Sequence, residues 1–366
     1  MLFIVLLIVS RTIGKKFIYI KELFNSGVIV HLILPMFFPL ATSVNQPKFC
    51  PSATWKTAGT TVADSNFVSS NSYGLFVNRN NSVYLASYRQ NSLYIWTDGN
   101  TTPKTINLNL TANGNPYSVF VNNTEDIYVG IESYVYTWAS SSINNVSKLY
   151  TGNTCYDIFI SSKNSLYCSL SSINRVIKRT LNSTDMGYTV AAGTGCAGAL
   201  NDTFFGPRGI FVDINLNLHV ADYGNHRIQV FPPGKLNGTT VVGREAAGTI
   251  ALLYPTDVIL DADGHLFIVD SNNYRIIGSD SNGFRCILGC SGSGTSDNQF
   301  QSPQTMAFDS YGNIFVIDLT NNRLQKFFLS VNSCSKHPIV LLSNKEKAFY
   351  LFRCNQYFTI NINGSN

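Results

Sequence analysis

Catalytic signatures are the first thing missing from this chain of 366 residues. It holds no G-x-S-x-G nucleophile elbow, no phosphate-binding glycine loop and no Cys or His spacing of the zinc type, which leaves the common acyl-transfer, nucleotide and zinc chemistries without sequence support. Histidine is scarce, at five residues. A basic surface is lacking too. The formal charge is +5, yet residues 49–334 hold 17 Lys and Arg against 19 Asp and Glu, and the excess lies in the flanks, nine against two. Sequence-independent nucleic-acid binding neutralises phosphates from a basic surface, so nothing here calls for nucleic acid. Long apolar runs are few. The run Val28–Val44, at 17 residues, barely reaches the length of a bilayer span.

What the chain does contain is a repeat. The segment from Gly206 to Gly243 reads as four short strands: PRGIFVD, LHVAD, RIQVF and TTVVG, each separated by turn residues. The first-strand tetrad recurs as GLFV, SVFV, DIFI, GIFV, DVIL and TMAF at 74, 118, 157, 209, 257 and 305, spaced 39 to 52 residues apart. A fixed period of this size means stacked units. These inner strands are apolar without alternation, as a strand covered on both faces requires. The expected fold is therefore all-β: a six-bladed β-propeller of four-stranded blades. The short spacing before Asp157 fits if VSKLYT serves as a fourth strand.

Closure follows from the ends of the repeat. The sixth blade has no fourth strand after RLQKFFL, whereas GTTVAD from Gly59 repeats the GTTVVG of Gly238–Gly243 and stands before the first inner strand. An open ring would leave a sheet edge unpaired. Thr60–Ala63 is thus expected beside Arg323–Phe328, with Cys50 bonded to Cys334. The register also pairs Cys155 with Cys168 across one antiparallel pair and Cys286 with Cys290 around a fourth strand. Cys196 and Cys354 have no evident partner.

At these residues the chain resembles the NHL-repeat family, whose pattern runs through an apolar strand, an Asp, a turn, VAD, a loop with Asn and then RIQVF. Three blades match closely, at Asp222, Asn225 and Arg227, at Asp270, Asn273 and Arg275, and at Asp318, Asn321 and Arg323. The blade starting at 157 keeps Arg175 but has Leu170 in place of the acid, and the first two keep only strands and turns. Some NHL proteins are amidating lyases that hold a metal on channel histidines. In repeat register His219 aligns with Phe267, His265 with Asn217 and His226 with Tyr274, so no ring of histidines forms.

The Asp–Asn–Arg sets are read as ion pairs fixing their loops. Asn78, Asn122, Ser161, Asp213, Asp261 and Asp309 all follow an inner strand. They are read as turn caps, with calcium on Asp213, Asp261 and Asp309 as the other possibility; no other cofactor is expected. Arg208, Tyr223, His226, Arg244 and Tyr274 belong to loops on one face of the disc, the usual place for a partner. Sequons at Asn80, Asn100, Asn109, Asn122, Asn145, Asn182, Asn201, Asn237 and Asn363 fit passage through the secretory pathway.

Residues 1–48 are read as a leader. Lys15, Lys16 and Lys21 precede the run from Val28, and Ala41, Thr42 and Ser43 fit a cleavage site; an uncleaved signal anchor with the propeller outside is the alternative. Residues 49–334 form the propeller, and 335–366 a poorly anchored extension. The expectation is a secreted or cell-surface propeller that binds an extracellular protein or glycan and is not an enzyme. The alternatives are a channel-centred metal-dependent lyase or hydrolase, and an RNA-binding module.

Overall fold

A computed structural model describes residues 44–108, 114–140, 142–181, 183–184 and 187–332, and strands within 6–35 and 339–362. It is a six-bladed propeller. Blades 2 to 5 begin with inner strands Pro116–Val121, Asp157–Ile160, Pro207–Val212 and Pro255–Leu260, and each adds three antiparallel neighbours in sequence order. Blade 1 runs from Gly74–Val77 to an outer strand Lys104–Asn107. The fourth strand of blade 2 is Ser142–Tyr150, which contains the VSKLY segment.

Blade 6 is closed from the front of the chain. Pro303–Phe308, Ile314–Asp318 and Arg323–Phe327 are followed in the sheet by Thr60–Ala63, with Leu324 opposite Ala63, Gln325 opposite Thr61 and Lys326 opposite Thr60. A second short pairing, Thr54–Trp55 with Leu329–Val331, continues the same junction. Blade 6 therefore has four strands like the others, with Thr60–Ala63 as its outermost one.

Each blade buries its faces against its neighbours, which is why the inner strands need no polar alternation. Phe76, Phe120, Phe159 and Phe211 hold the same position in blades 1 to 4 and touch in succession, with ring centroids 4.7, 5.2 and 4.9 Å apart. Ile259 and Ala307 fill that layer in blades 5 and 6. One glycine is required by this closeness. A Cβ on Gly209 would lie 2.4 Å from Asp257 Oδ1, so the inner strand of blade 4 admits the aspartate of blade 5 only because it carries no side chain there.

Two disulfides lie wholly among the described residues. Cys155, just ahead of blade 3's inner strand, is joined to Cys168 on its second, with Cα atoms 5.3 Å apart, and Cys286 and Cys290 close a loop at the end of blade 5. Cys50 is disulfide-bonded and buried, while its expected partner Cys334 lies outside the described residues, as does Cys354's side chain. Cys196 is an exposed free thiol.

Ahead of Ser43 the chain forms a separate unit holding a three-stranded antiparallel sheet, Leu6–Thr12, Lys15–Leu23 and Ile29–Pro35. Among the described residues no helix is long and apolar enough to cross a membrane. The tail, expected as a poorly anchored extension, contains three strands in sequential antiparallel order, Ile339–Leu342, Ala348–Cys354 and Tyr357–Ile362.

Candidate functional site at the channel mouth

The inner strands run side by side from one end of the central channel to the other, and the two ends differ. At one end lie the hairpins joining first and second strands, and this end is stoppered by residues 44–48. The buried Asn45 donates through Nδ2 to the carbonyls of Val77, Asn78 and Phe308 at 3.2, 2.8 and 3.1 Å, tying blade 1 to blade 6. Gln46 donates to Leu260 and Asp261 carbonyls, Ala262 N–H donates to Pro47 O, and Lys48 pairs with Asp263 at 2.7 Å. Residues expected to be leader thus lie on the propeller.

The candidate calcium residues sit at this same end and are engaged locally. Asp261 Oδ1 accepts from the Asp263 and His265 backbone N–H groups, and its Oδ2 lies 3.0 Å from His265 Nδ1. Asp309 accepts from Tyr311 and Asn313 N–H and meets Lys326 Nζ at 3.1 Å. Asp213 accepts from Asn217 N–H and Nδ2. Asn78 and Asn122 accept from their own turns in the same manner. Each side chain caps a hairpin.

The opposite end receives the connections between blades and the loops between second and third strands. Here the residue just before each tetrad forms a collar: Tyr73, Tyr117, Tyr156, Arg208, Thr256 and Gln304, one per blade. Tyr73 stacks on Tyr117 with an interplanar angle of 8° and leans on Tyr156 at 5.2 Å, while Tyr88 meets Tyr117 edge-on. Arg208 lays its guanidinium 3.4 Å above the Tyr223 ring and 5.0 Å from that of Tyr156. Gln304 Oε1 accepts from both Tyr156 Oη and Arg208 Nη1 at 3.3 Å, and its Nε2 is anchored on Ser271 and Ser302 hydroxyls. The aromatic run continues through Tyr254 to His226, with centroids 4.8 and 4.3 Å apart.

Burial sets the protonation states at the collar. It pushes the Tyr117 hydroxyl up to about 12, helped by its hydrogen bond with Tyr88. It raises Tyr73 and Tyr156 as well, with the Arg208 charge opposing. The hydroxyls are therefore neutral donors near neutral pH. Burial and then the charge of Arg244 lower His226, whose Nδ1 accepts from Tyr254 N–H at 3.0 Å.

One layer below the collar, Asp157 and Asp257 face a cavity of about 60 Å³ whose other walls are inner-strand residues and, at the stoppered end, Val44 and Asn45. Burial raises both carboxyls, and the charge of Asp257 raises Asp157 further. Each also clasps the next blade. Asp157 accepts from Ile210 N–H at 2.8 Å, and Asp257 from Met306 N–H and Thr305 Oγ1 at 3.0 and 2.8 Å.

The NHL-like triads line the outer part of this face. Asp222 Oδ2 receives Arg227 Nε and Asn225 Nδ2, both at 2.8 Å, while its Oδ1 accepts from Phe205 N–H in the incoming loop. Blades 5 and 6 repeat this geometry at Asp270, Asn273 and Arg275 and at Asp318, Asn321 and Arg323. In blade 3, where Leu170 replaces the acid, the buried Arg175 Nε has no hydrogen-bond partner.

Of the residues expected to bind, Arg208, Tyr223 and His226 belong to one continuous surface, and Arg244 borders it beside His226 in a separate shallow pocket. Tyr274 is not among the ring contacts; it packs against the core of blades 5 and 6 with φ of 56°, the left-handed position that His226 occupies in blade 4. Sequence reading missed Tyr73, Tyr117, Tyr156, Gln304, Asp157 and Asp257. The register held the signal, since each stands at or one residue before the start of its tetrad.

No family profile matches this chain, and no curated protein matches it. Solved structures do, in 643 chains. A Bacteroides thetaiotaomicron protein of unknown function superposes with a TM-score of 0.59 at 15% identity, over 87% of this chain and 83% of that one. An auxiliary nutrient binding protein from the same organism gives 0.57 at 13% identity, over 86% and 83%. A streptogramin B lyase gives 0.51 at 12% identity, over 86% and 90%. At such identities the likeness is one of fold, the six-bladed propeller.

Proposed function

We propose that this is an exported binding propeller of NHL type, which takes an extracellular protein or glycan on the open end of its channel and performs no catalysis. The collar is the observation behind this reading. Four half-buried tyrosines, at 73, 117, 156 and 223, stand with Arg208 around a mouth closed from behind, and rings already held in place lose little freedom when a ligand covers them. The two buried carboxyls beneath are occupied by backbone N–H groups of neighbouring blades, as befits structural clasps. Export is favoured by the two disulfides and by the apolar leader, whether cleaved or retained as an anchor with the propeller outside. One structural neighbour is a nutrient binding protein and another a lyase, so the fold is compatible with either role. Membership of the NHL type rests on the Asp–Asn–Arg triads of blades 4 to 6.

The test is affinity capture with the secreted, glycosylated protein, read by mass spectrometry for proteins and glycans, beside metal analysis of the same preparation. A ligand captured by the native protein and lost with Tyr156→Ala and Arg208→Ala supports the reading. A stoichiometric metal accompanied by turnover of a bound compound replaces it with an enzyme.

A further inference from the structure

Among the described residues most buried or half-buried arginines of the propeller have an acidic partner: Arg227 has Asp222 and Glu245, Arg275 has Asp270, Arg285 has Asp280 and Arg323 has Asp318. Arg208 has none. Its guanidinium lies against two tyrosine faces and donates one hydrogen bond, to Gln304, so most of its five donors remain open at the mouth of the channel. A desolvated guanidinium held flat by aromatic rings presents a fixed fork matched to a carboxylate. Arg244, exposed and also without an acidic partner among the described residues, stands on the same face beside His226.

From this geometry we infer that the collar selects glycans bearing sugar carboxylates, of the uronic or sialic acid kind, with the carboxylate on Arg208 and the sugar ring on Tyr73, Tyr117 and Tyr156. This rests on the binding role proposed above and names its ligand class. Sugar rings present an apolar C–H face together with hydroxyls and, in these acids, one carboxylate. The collar offers tyrosine faces and one guanidinium without an acidic partner in the same small area. An acidic peptide fits less well. A glutamate side chain supplies the carboxylate but no flat C–H ring face for the tyrosines, and a flexible peptide loses more freedom on ordering.

The probes are a galacturonic acid tetramer, its fully methyl-esterified form, sialyllactose and a glutamate hexapeptide, each titrated calorimetrically into the full secreted protein. The expected result is binding of the tetramer or sialyllactose, a loss of at least about tenfold on esterification or in Arg208→Gln, and only slight recovery in Arg208→Lys, which keeps the charge but not the fork. Thermal melts of both variants confirm the fold. Equal binding of acid and ester overturns the role of the carboxylate, and binding of the hexapeptide alone assigns the surface to acidic protein. If neither saccharide acid binds, the ligand class is wrong, while a ligand found by capture would leave the binding role standing.

Discussion

Arg227 sets its Nε 2.8 Å from Asp222 Oδ2 with both side chains fully buried, and spends its remaining donors on the carbonyls of Ala199, Leu200 and Thr203 and on Glu245. One side chain thus ties the second and third strands of blade 4 to the loop arriving from blade 3. Removing it leaves a buried carboxylate without its counter-charge and several carbonyls without a donor. Arg227→Met is expected to cost about 3–5 kcal/mol, a fall of roughly 10 °C in Tm. Arg227→Lys recovers little, because a lysine cannot reproduce the fork. Arg275→Met costs less, since Arg275 is a quarter exposed and holds fewer carbonyls. Equal losses at the two positions in thermal melts would refute this ranking.

The stopper gives a second prediction. Asn45 satisfies three carbonyls across the seam of blades 1 and 6, so Asn45→Ala is expected to cost about 1–3 kcal/mol. Hydrogen exchange should speed up first in Gly74–Val77 and Pro303–Phe308, the strands it joins. Unchanged exchange there would mean that residues 44–48 only rest on the channel.

How much of this was legible beforehand depended on what each feature shares across repeats. Strand tetrads recur as apolar strings, so the blades and even the seam at Thr60–Ala63 could be placed from spacing. The Asp–Asn–Arg loops repeat by residue type and were read in three blades for the same reason. The collar repeats only by position. Tyr73, Tyr117, Tyr156, Arg208, Thr256 and Gln304 share no chemistry, and a position filled by four residue types has no motif to find. The stopper was hidden differently: Asn45 and Gln46 belong to no repeat, and their partners are backbone carbonyls, which sequence does not distinguish.

Asp157 and Asp257 predict a pH dependence. Burial raises both in the folded state above their ordinary range near 4, so the folded protein binds protons there more tightly than the unfolded chain. Their contribution to stability is complete below about pH 4 and is lost as pH rises through the elevated values. Tm should therefore increase as pH falls from neutrality toward 5. In Asp157→Asn/Asp257→Asn that increase should shrink, whatever the double variant costs at a fixed pH. A wild-type Tm flat over this window, or an identical slope in the double variant, would place the carboxyls at ordinary values.

The seam predicts behaviour on truncation. A chain beginning at residue 65 lacks the outer strand of blade 6 and leaves Arg323–Phe327 as a free edge. It is expected to self-associate at concentrations where the full chain is monomeric, as read by light scattering after size exclusion. A monodisperse monomer with a native melt would show that Thr60–Ala63 is dispensable.

The sequons divide by geometry. Asn109 and Asn182 lie outside the described residues, as does Asn363, and no side-chain environment is described for Asn145. Asn80, Asn100, Asn201 and Asn237 are exposed, and the Asn80 side chain makes a 3.5 Å bond from Nδ2 to Glu125. Asn122 differs. It is half-buried, its Nδ2 donates to Asp126 Oδ2 at 3.0 Å and Tyr128 Oη at 3.4 Å, and its Oδ1 accepts from the N–H groups of Thr124 and Asp126. The hydroxyl of Thr124, the third residue of that sequon, is itself donated to Asn122 and Asp126. A glycan on Nδ2 would remove a donor from this turn and force the amide outward, opening the hairpin that begins blade 2. Protein that folds and is secreted should therefore carry glycans at Asn80, Asn100, Asn201 and Asn237 and none at Asn122. Peptide mapping after enzymatic deglycosylation in heavy-oxygen water reads each site directly, and substantial occupancy at Asn122 in folded, secreted material would show that the hairpin does not depend on its cap.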